Sequence, residues 1–231
     1  MKKVLLLLFT GFTPWFIHAQ HYAHVGSWSR LALNAKLTPK LGVTAEVGMR
    51  RQNSLIHLNP IEKPQTNNVK LTLAYSLKRL NLILSPVENI YSEALLGKES
   101  DLNTPRVHEF RVSGGVEYLK PVAKRRFQVR SIYEYRNFDG FKRGRVRTRV
   151  MNRWTISPAN TLTLYDEFFV NTHPHPQPNW FNQNRMSCTY TRSLTRFLDL
   201  ELGYIYVLSE RSTLSEFDHT HALITYLTVK I

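Results

Sequence analysis

The chain has almost no cysteine: Cys188 is the only one in 231 residues. An internal disulfide is therefore impossible, and a thiolate metal site has no second ligand. Beyond the first twenty residues there is no apolar run of about 18, which excludes helical membrane spans. Carboxylates are scarce, 17 against 31 Lys and Arg, so the formal charge is +14. Glycine is thin as well, at 10 residues. No Gly-rich phosphate loop and no G-x-S-x-G frame occurs, so neither a nucleotide cradle nor a nucleophile elbow is supported. Such a basic chain could meet nucleic acid, anionic lipid or acidic glycan.

The first nineteen residues explain themselves. Lys2 and Lys3 form a basic start, Val4 to Phe9 an apolar stretch, and Ile17-His18-Ala19 a cleavage end before Gln20. This is a secretory signal peptide over 1–19, leaving 20–231 as one domain. Its apolar run is too short to span a membrane and is broken by Gly11 and Pro14. With no cysteine near the cut, a lipoprotein anchor is not expected. Loss of Lys2 and Lys3 leaves 29 cations against 17 carboxylates, a formal +12. Export makes nucleic acid the least expected partner.

What the chain does have is two-residue alternation. In Phe127–Ile156, Gln128, Arg130, Glu134 and Arg136 alternate with Phe127, Val129, Tyr133 and Tyr135. After the break DGFKRG, Arg145, Arg147, Arg149 and Arg153 alternate with Val146, Thr148, Val150 and Trp154. On a helix these arginines would scatter around the axis; on a strand they share one face. Strands charged on one side and apolar on the other need polar partners on the first and an apolar medium on the second. The pattern predicts an all-β, antiparallel transmembrane β-barrel of about 10–12 strands, with charge in the lumen and hydrocarbon outward.

The same alternation marks 24–37, 41–50, 69–77, 80–84, 107–119, 161–171, 183–192, 198–208 and 219–231. Two stretches resist. Arg51–Asn68 holds Pro60 and Pro64 and reads as a long loop. Ser85–Pro105, broken by Pro86, could be a helical turn, a strand extension or a loop. Eleven strands result, whereas bacterial single-chain barrels are normally even-numbered. Either a strand hides in one of those stretches or the pairing at the N-terminus is unusual. Tyr118, Trp154, Tyr204 and Tyr206 suit interfacial girdles.

The candidate site is the lumen-facing set Glu109, Arg111, Arg130, Glu134, Arg136, Arg145, Arg147, Arg149, Arg153, Glu167 and Arg185. The guanidinium fork matches carboxylates on neighbouring strands, so the first reading is a structural ladder filling a narrow lumen. The second is a constriction favouring a small anionic solute, because arginine outnumbers glutamate in the set. His173 and His175, spaced by proline, read as a rim loop rather than a metal site, as do His219 and His221. Ser113, Ser131 and Ser187 with His108 or His219 supply the parts of a hydrolase without a framing motif. No enzyme, metal or cofactor is therefore expected.

Several stretches occur in a recognisable order: His108-Glu109-Phe110-Arg111, Arg130, Glu134-Tyr135-Arg136, the Arg145–Arg153 run, Tyr165-Asp166-Glu167-Phe168, Phe181-Asn182-Gln183-Asn184-Arg185, and Leu200-Glu201-Leu202-Gly203-Tyr204. Together they resemble an uncharacterised family of exported Gram-negative β-barrel proteins, a domain of unknown function. The likeness runs from about Trp28 to the C-terminus. It implies an outer-membrane barrel and no established activity, catalytic residue or ligand. One departure is the last residue, Ile231, where many such barrels carry an aromatic. The resulting expectation is a monomer among outer-membrane lipid and lipopolysaccharide, delivered by the barrel-assembly machinery, with a structural, interaction or small-solute role. A phospholipase-like barrel enzyme and a soluble secreted β-sandwich or lipocalin-like carrier of an anionic ligand are the alternatives.

Overall fold

Alternation becomes strand almost wherever it occurs. The computed structural model describes residues 20–172, 180–213 and 215–231, so the signal peptide expected over 1–19 lies outside the described residues. Eleven strands follow in order: β1 Gln20–Lys36, β2 Leu41–Gln52, β3 Lys63–Leu77, β4 Leu80–Ser92, β5 Val107–Val122 and β6 Arg125–Phe138. Then come β7 Phe141–Ser157, β8 Asn160–Asn171, β9 Phe181–Thr195, β10 Leu198–Glu210 and β11 Glu216–Lys230. At 12 to 17 residues each, tilted strands of this length can cross a bilayer core.

Neighbours in sequence pair antiparallel, and the sheet closes on itself through β1 and β11. That closing seam is parallel, running from Gln20 opposite Glu216 to Asn34 opposite Lys230. The odd strand count thus needs no hidden strand; the pairing at the N-terminus is the unusual part. A parallel closure is what an odd number of up-and-down strands requires, since the first and last then point the same way.

One expectation is corrected, and one open stretch is resolved. The loop predicted over 51–68 shrinks to 53–62, because β2 runs on to Gln52 and β3 starts at Lys63. Pro64 is tolerated where the β2–β3 register slips between Arg50 and Arg51. Of the alternatives open after Ser85, the first part is a strand extension, in which β4 passes through Pro86 at an irregularity between Ser85 and Glu88 and runs to Ser92; the rest is a connection with a single 3-10 turn at Glu99–Asn103. A bulge inserts one residue and so exchanges the two faces. Ile83 and Ser85 are buried before it, Glu88 and Ile90 after it.

The two rims differ. Turns at 37–40, 78–79, 123–124, 158–159 and 196–197 make one rim compact, and the C-terminus ends there. The other rim carries the start of β1, the connections 53–62 and 93–106, the end of β8 and start of β9, the end of β10 and start of β11, and one tight turn among the described residues. That turn is at Gly140, whose φ of 98° suits a residue without a side chain. We call these the turn rim and the loop rim.

Alternate residues sort inward and outward. Val47, Val69, Leu84, Val116, Val150, Leu164, Leu202 and Leu223 lie exposed around the outside as a continuous apolar belt. Tyr75, Tyr118, Trp154 and Tyr190 fall towards the turn rim, and Tyr91, Tyr135, Phe168 and Phe181 towards the loop rim. Inside, the middle of the wall made by β1, β10 and β11 is apolar: Trp28, Ile205, Val207, Ala222 and Ile224 pack together, with Tyr165 and Tyr226 against them. The facing wall, β3 to β9, carries the charge.

Candidate functional site in the lumen

Parity puts all eleven predicted residues on the inner face, and most of them meet. Glu134 on β6 is the hub. Its side chain has no accessible surface and faces Arg145 at 2.6 Å, Arg147 at 3.2 Å and Arg111 at 3.6 Å. Glu109 on β5 holds Arg136 at 2.6 Å and Arg111 at 2.8 Å. Glu167 on β8 takes both nitrogens of a fork from Arg149, at 3.0 and 3.2 Å, with Arg185 more distant at 3.8 Å. Such two-pronged pairs fix orientation as well as charge. Arg130 and Arg153 stand apart from this group. Arg130 pairs with Glu117 at 2.5 Å, and Arg153 forms no ion pair among the described residues.

Three members of the network escaped the sequence reading. Glu88 bridges Lys70 at 3.4 Å and Arg111 at 3.3 Å. It was hidden by the bulge, which places an even-numbered residue on the face that Ile83 and Ser85 occupy before it. Lys70 and Glu117 were visible on polar faces, but only their partners across the barrel give them a role. Gln128 and Asn81 also donate to Glu117, the latter at 2.8 Å.

Aromatic rings supply the remaining contacts. Arg145 and Arg185 lie over Phe169 at 4.8 and 4.5 Å, and Arg149 over Tyr165 at 4.6 Å. Arg50 sits 3.8 Å above Trp28, whose ring Arg185 also approaches at 5.3 Å. Planar guanidinium groups stack well on ring faces. Of these contacts, the one from Arg185 to Trp28 ties the charged wall to the apolar one.

At mid-height and above, many of the lumen-facing side chains are buried. Glu134, Glu167, Phe169, Ile205 and His24 are all buried, and the Arg145 side chain is 4% exposed. Towards the turn rim the same chemistry is wetter: Arg30 and Arg130 are 33% and 30% exposed.

The 93–106 connection lies across the loop rim. It leaves β4 and returns to β5, yet it docks on the β10–β11 side of the ring, nearly opposite. Lys98 reaches Glu216 at 2.6 Å, and Arg211 grips Asp101 at 3.0 Å while holding Asp218 at 2.7 Å. Asp218 in turn meets the buried His24 at 2.8 Å. Gln52 accepts from Leu96 N–H and donates to Ala94 O. Gly97 lies flat against this anchor, where an added Cβ would meet Tyr22 Cγ at 2.7 Å. Burial raises the Asp101 carboxyl, but the Gly97 and Lys98 N–H groups and the Arg211 guanidinium outweigh it and hold its pKa below the usual value. Hydrogen bonding to Glu216 likewise holds Lys98 in its charged form, raising its pKa.

The remaining candidates do not assemble. Ser187 donates to Tyr204 O at 2.9 Å, and Ser131 shares a hydrogen bond with Thr148 at 3.2 Å. His108 stacks on Tyr91 on the outer face. His219 and His221 also face outward, bonded to Tyr206 at 2.6 Å and Tyr204 at 2.5 Å. His173 and His175 lie outside the described residues.

A family model described as "Protein of unknown function (DUF2490)" matches residues 25–217. No curated protein matches the chain. Among solved structures, the fold is similar to one titled "NanC porin structure in rhombohedral crystal form", at 10% identity and a TM-score of 0.47. That match covers 77% of this chain and 79% of the other.

Proposed function

The chain belongs to the DUF2490 family of proteins of unknown function, and from that premise we propose that it is a bacterial outer-membrane β-barrel closed to free passage, with a structural or interaction role. The observation that carries the reading is the state of Glu134. A carboxylate with no accessible surface, surrounded by three arginines, is a sealed cross-section rather than a pore wall. The 93–106 connection adds a second closure above it. The outer apolar belt supports placement in lipid, since so broad an exposed apolar surface is rare on a soluble monomer. Lipopolysaccharide and lipid are then the immediate neighbours, and a monomer suffices because the closed sheet leaves no edge to pair.

Purified protein in planar bilayers tests this directly. A heat-modifiable, detergent-extracted barrel that gives no current above background supports the closed reading; steady current in the unmodified protein rejects it. Recovery of the mature chain without detergent would reject the membrane placement.

A second reading, a pore for small anions, is favoured by one observation. Arg30, Arg153 and Arg185 each keep a buried Nε with no hydrogen-bond partner among the described residues. Any current should then be anion-selective, as a surplus of fixed positive charge requires.

A further inference from the structure

The fixed charge of the chain is divided unevenly between the two rims. Every turn on the turn rim except 158–159 carries an exposed cation: Lys40, then Lys78 and Arg79, then Lys124 with Arg125 beside it, and Arg196. Little of the opposite sign stands against them. Asp199 is the one carboxylate side chain within two residues of any of these turns, and Lys230 already holds it at 2.7 Å. None of the six turn cations forms an ion pair among the described residues. The loop rim is mixed instead, with Arg106 on Glu93, Lys98 on Glu216, and Arg211 on Asp101 and Asp218.

One step along the outer wall from this ring of cations the surface turns apolar. Leu77, Leu80, Val122 and Leu194 are exposed there, with Tyr75 and Tyr118 close by. Cations bordering tyrosine and aliphatic side chains reproduce the layers of a lipid boundary, where charged heads reach the headgroups, rings sit at the interface and hydrocarbon lies beyond. A water-borne acidic partner would answer the charge and leave the aliphatic side chains bare. We propose that the turn rim is a docking surface for anionic phospholipid, whose headgroup phosphates the ring of cations gathers around the barrel. This rests on the membrane placement above, in which compact turns mark the periplasmic side. Each cation close to such a surface adds attraction, and salt screens it because the cations stand in solvent.

The test is electron spin resonance of the full barrel in phosphatidylcholine vesicles carrying a trace of spin-labelled phosphatidylglycerol or spin-labelled phosphatidylcholine, which reads how much of each lipid the protein holds. Phosphatidylglycerol should associate about threefold more strongly, and raised salt should shrink the difference. Combining Lys40→Gln, Lys78→Gln, Arg79→Gln, Lys124→Gln, Arg125→Gln and Arg196→Gln should bring the ratio to about one. Combining Lys40→Arg, Lys78→Arg and Lys124→Arg, which keeps the charge, should preserve the preference. All these side chains are exposed, and heat-modifiable migration shows that each variant is a closed barrel. Equal association of the two lipids with the unmodified protein, or a preference that survives the glutamine variant, overturns the docking surface. Binding of polyglutamate in place of a lipid preference would give the rim to an acidic polypeptide and overturn it as well. A chain that stays outside the vesicles, recovered without detergent, overturns the membrane placement and the headgroup contact with it; an inserted barrel without the preference overturns the contact alone.

Discussion

The two halves of the lumen use the same residues to different ends. Near the loop rim, Glu134, Glu109, Glu88 and Glu167 sit among arginines with almost no solvent, and every carboxylate is matched. Near the turn rim, Arg30 and Arg130 keep about a third of their surface and are held by single carboxylates. Burial decides what a pair contributes. Removing one partner of a buried pair strands the other in a dry interior, whereas water substitutes readily for the partner of an exposed one.

Glu134→Ala gives the largest expected effect, because it leaves Arg145 and Arg147 without their carboxylate and deprives Arg111 of one of three. A loss of about 3–5 kcal/mol in unfolding free energy, read by circular dichroism in denaturant, is the outcome that fits; less than about 1 kcal/mol would show that the hub is wet. Arg147→Ala should cost less, since Glu134 keeps Arg145.

The outer face should not share this asymmetry. Val150, exposed midway along β7, is predicted to cost about 2–4 kcal/mol when replaced by arginine in a bilayer. Measured in lipid vesicles, a neutral Val150→Arg would mean that no hydrocarbon touches this face.

The loop-rim closure is the next to fail, and it should do so with pH. The folded-state pKa of Asp101 lies below its unfolded value, so its contribution is full above that unfolded value, about 3.9, and fades as pH falls through the depressed one. A spin label at Leu102→Cys, with Cys188→Ser, should be restrained at neutral pH and loosen only in strong acid. Arg211→Ala should loosen it at neutral pH; an unchanged spectrum would show that ion pairs do not hold the connection down.

Smallest is Arg30→Gln in the open half. Its partner Glu46 is 3.3 Å away and both are partly hydrated, so a change of about 1 kcal/mol or less is expected in the same denaturant assay. An effect rivalling that of Glu134→Ala would erase the distinction between the halves.

Much of this was legible in the sequence because a strand has a period of two. The faces of β6 and β7 could be assigned residue by residue, and all eleven candidate residues lie inside. Parity fails where a residue is inserted. The irregularity at Pro86 hides the face of Glu88, and Pro60 and Pro64 give the start of β3 the look of a loop. Parity is also blind to distance around the ring. It put Glu117 and Lys70 on an inner face without showing that one meets Arg130 and the other Glu88. Nor could it foresee that Lys98 and Arg211, 113 positions apart, would tie one rim connection to the opposite wall.

The parallel seam sets an order of events and a sidedness. Gln20 cannot find Glu216 until nearly the whole polypeptide exists, so the contact that seals the cylinder spans the greatest separation along the chain and is expected to form late. Because first and last strands run the same way, a tag ahead of β1 and another behind β11 would report from opposite rims of the barrel.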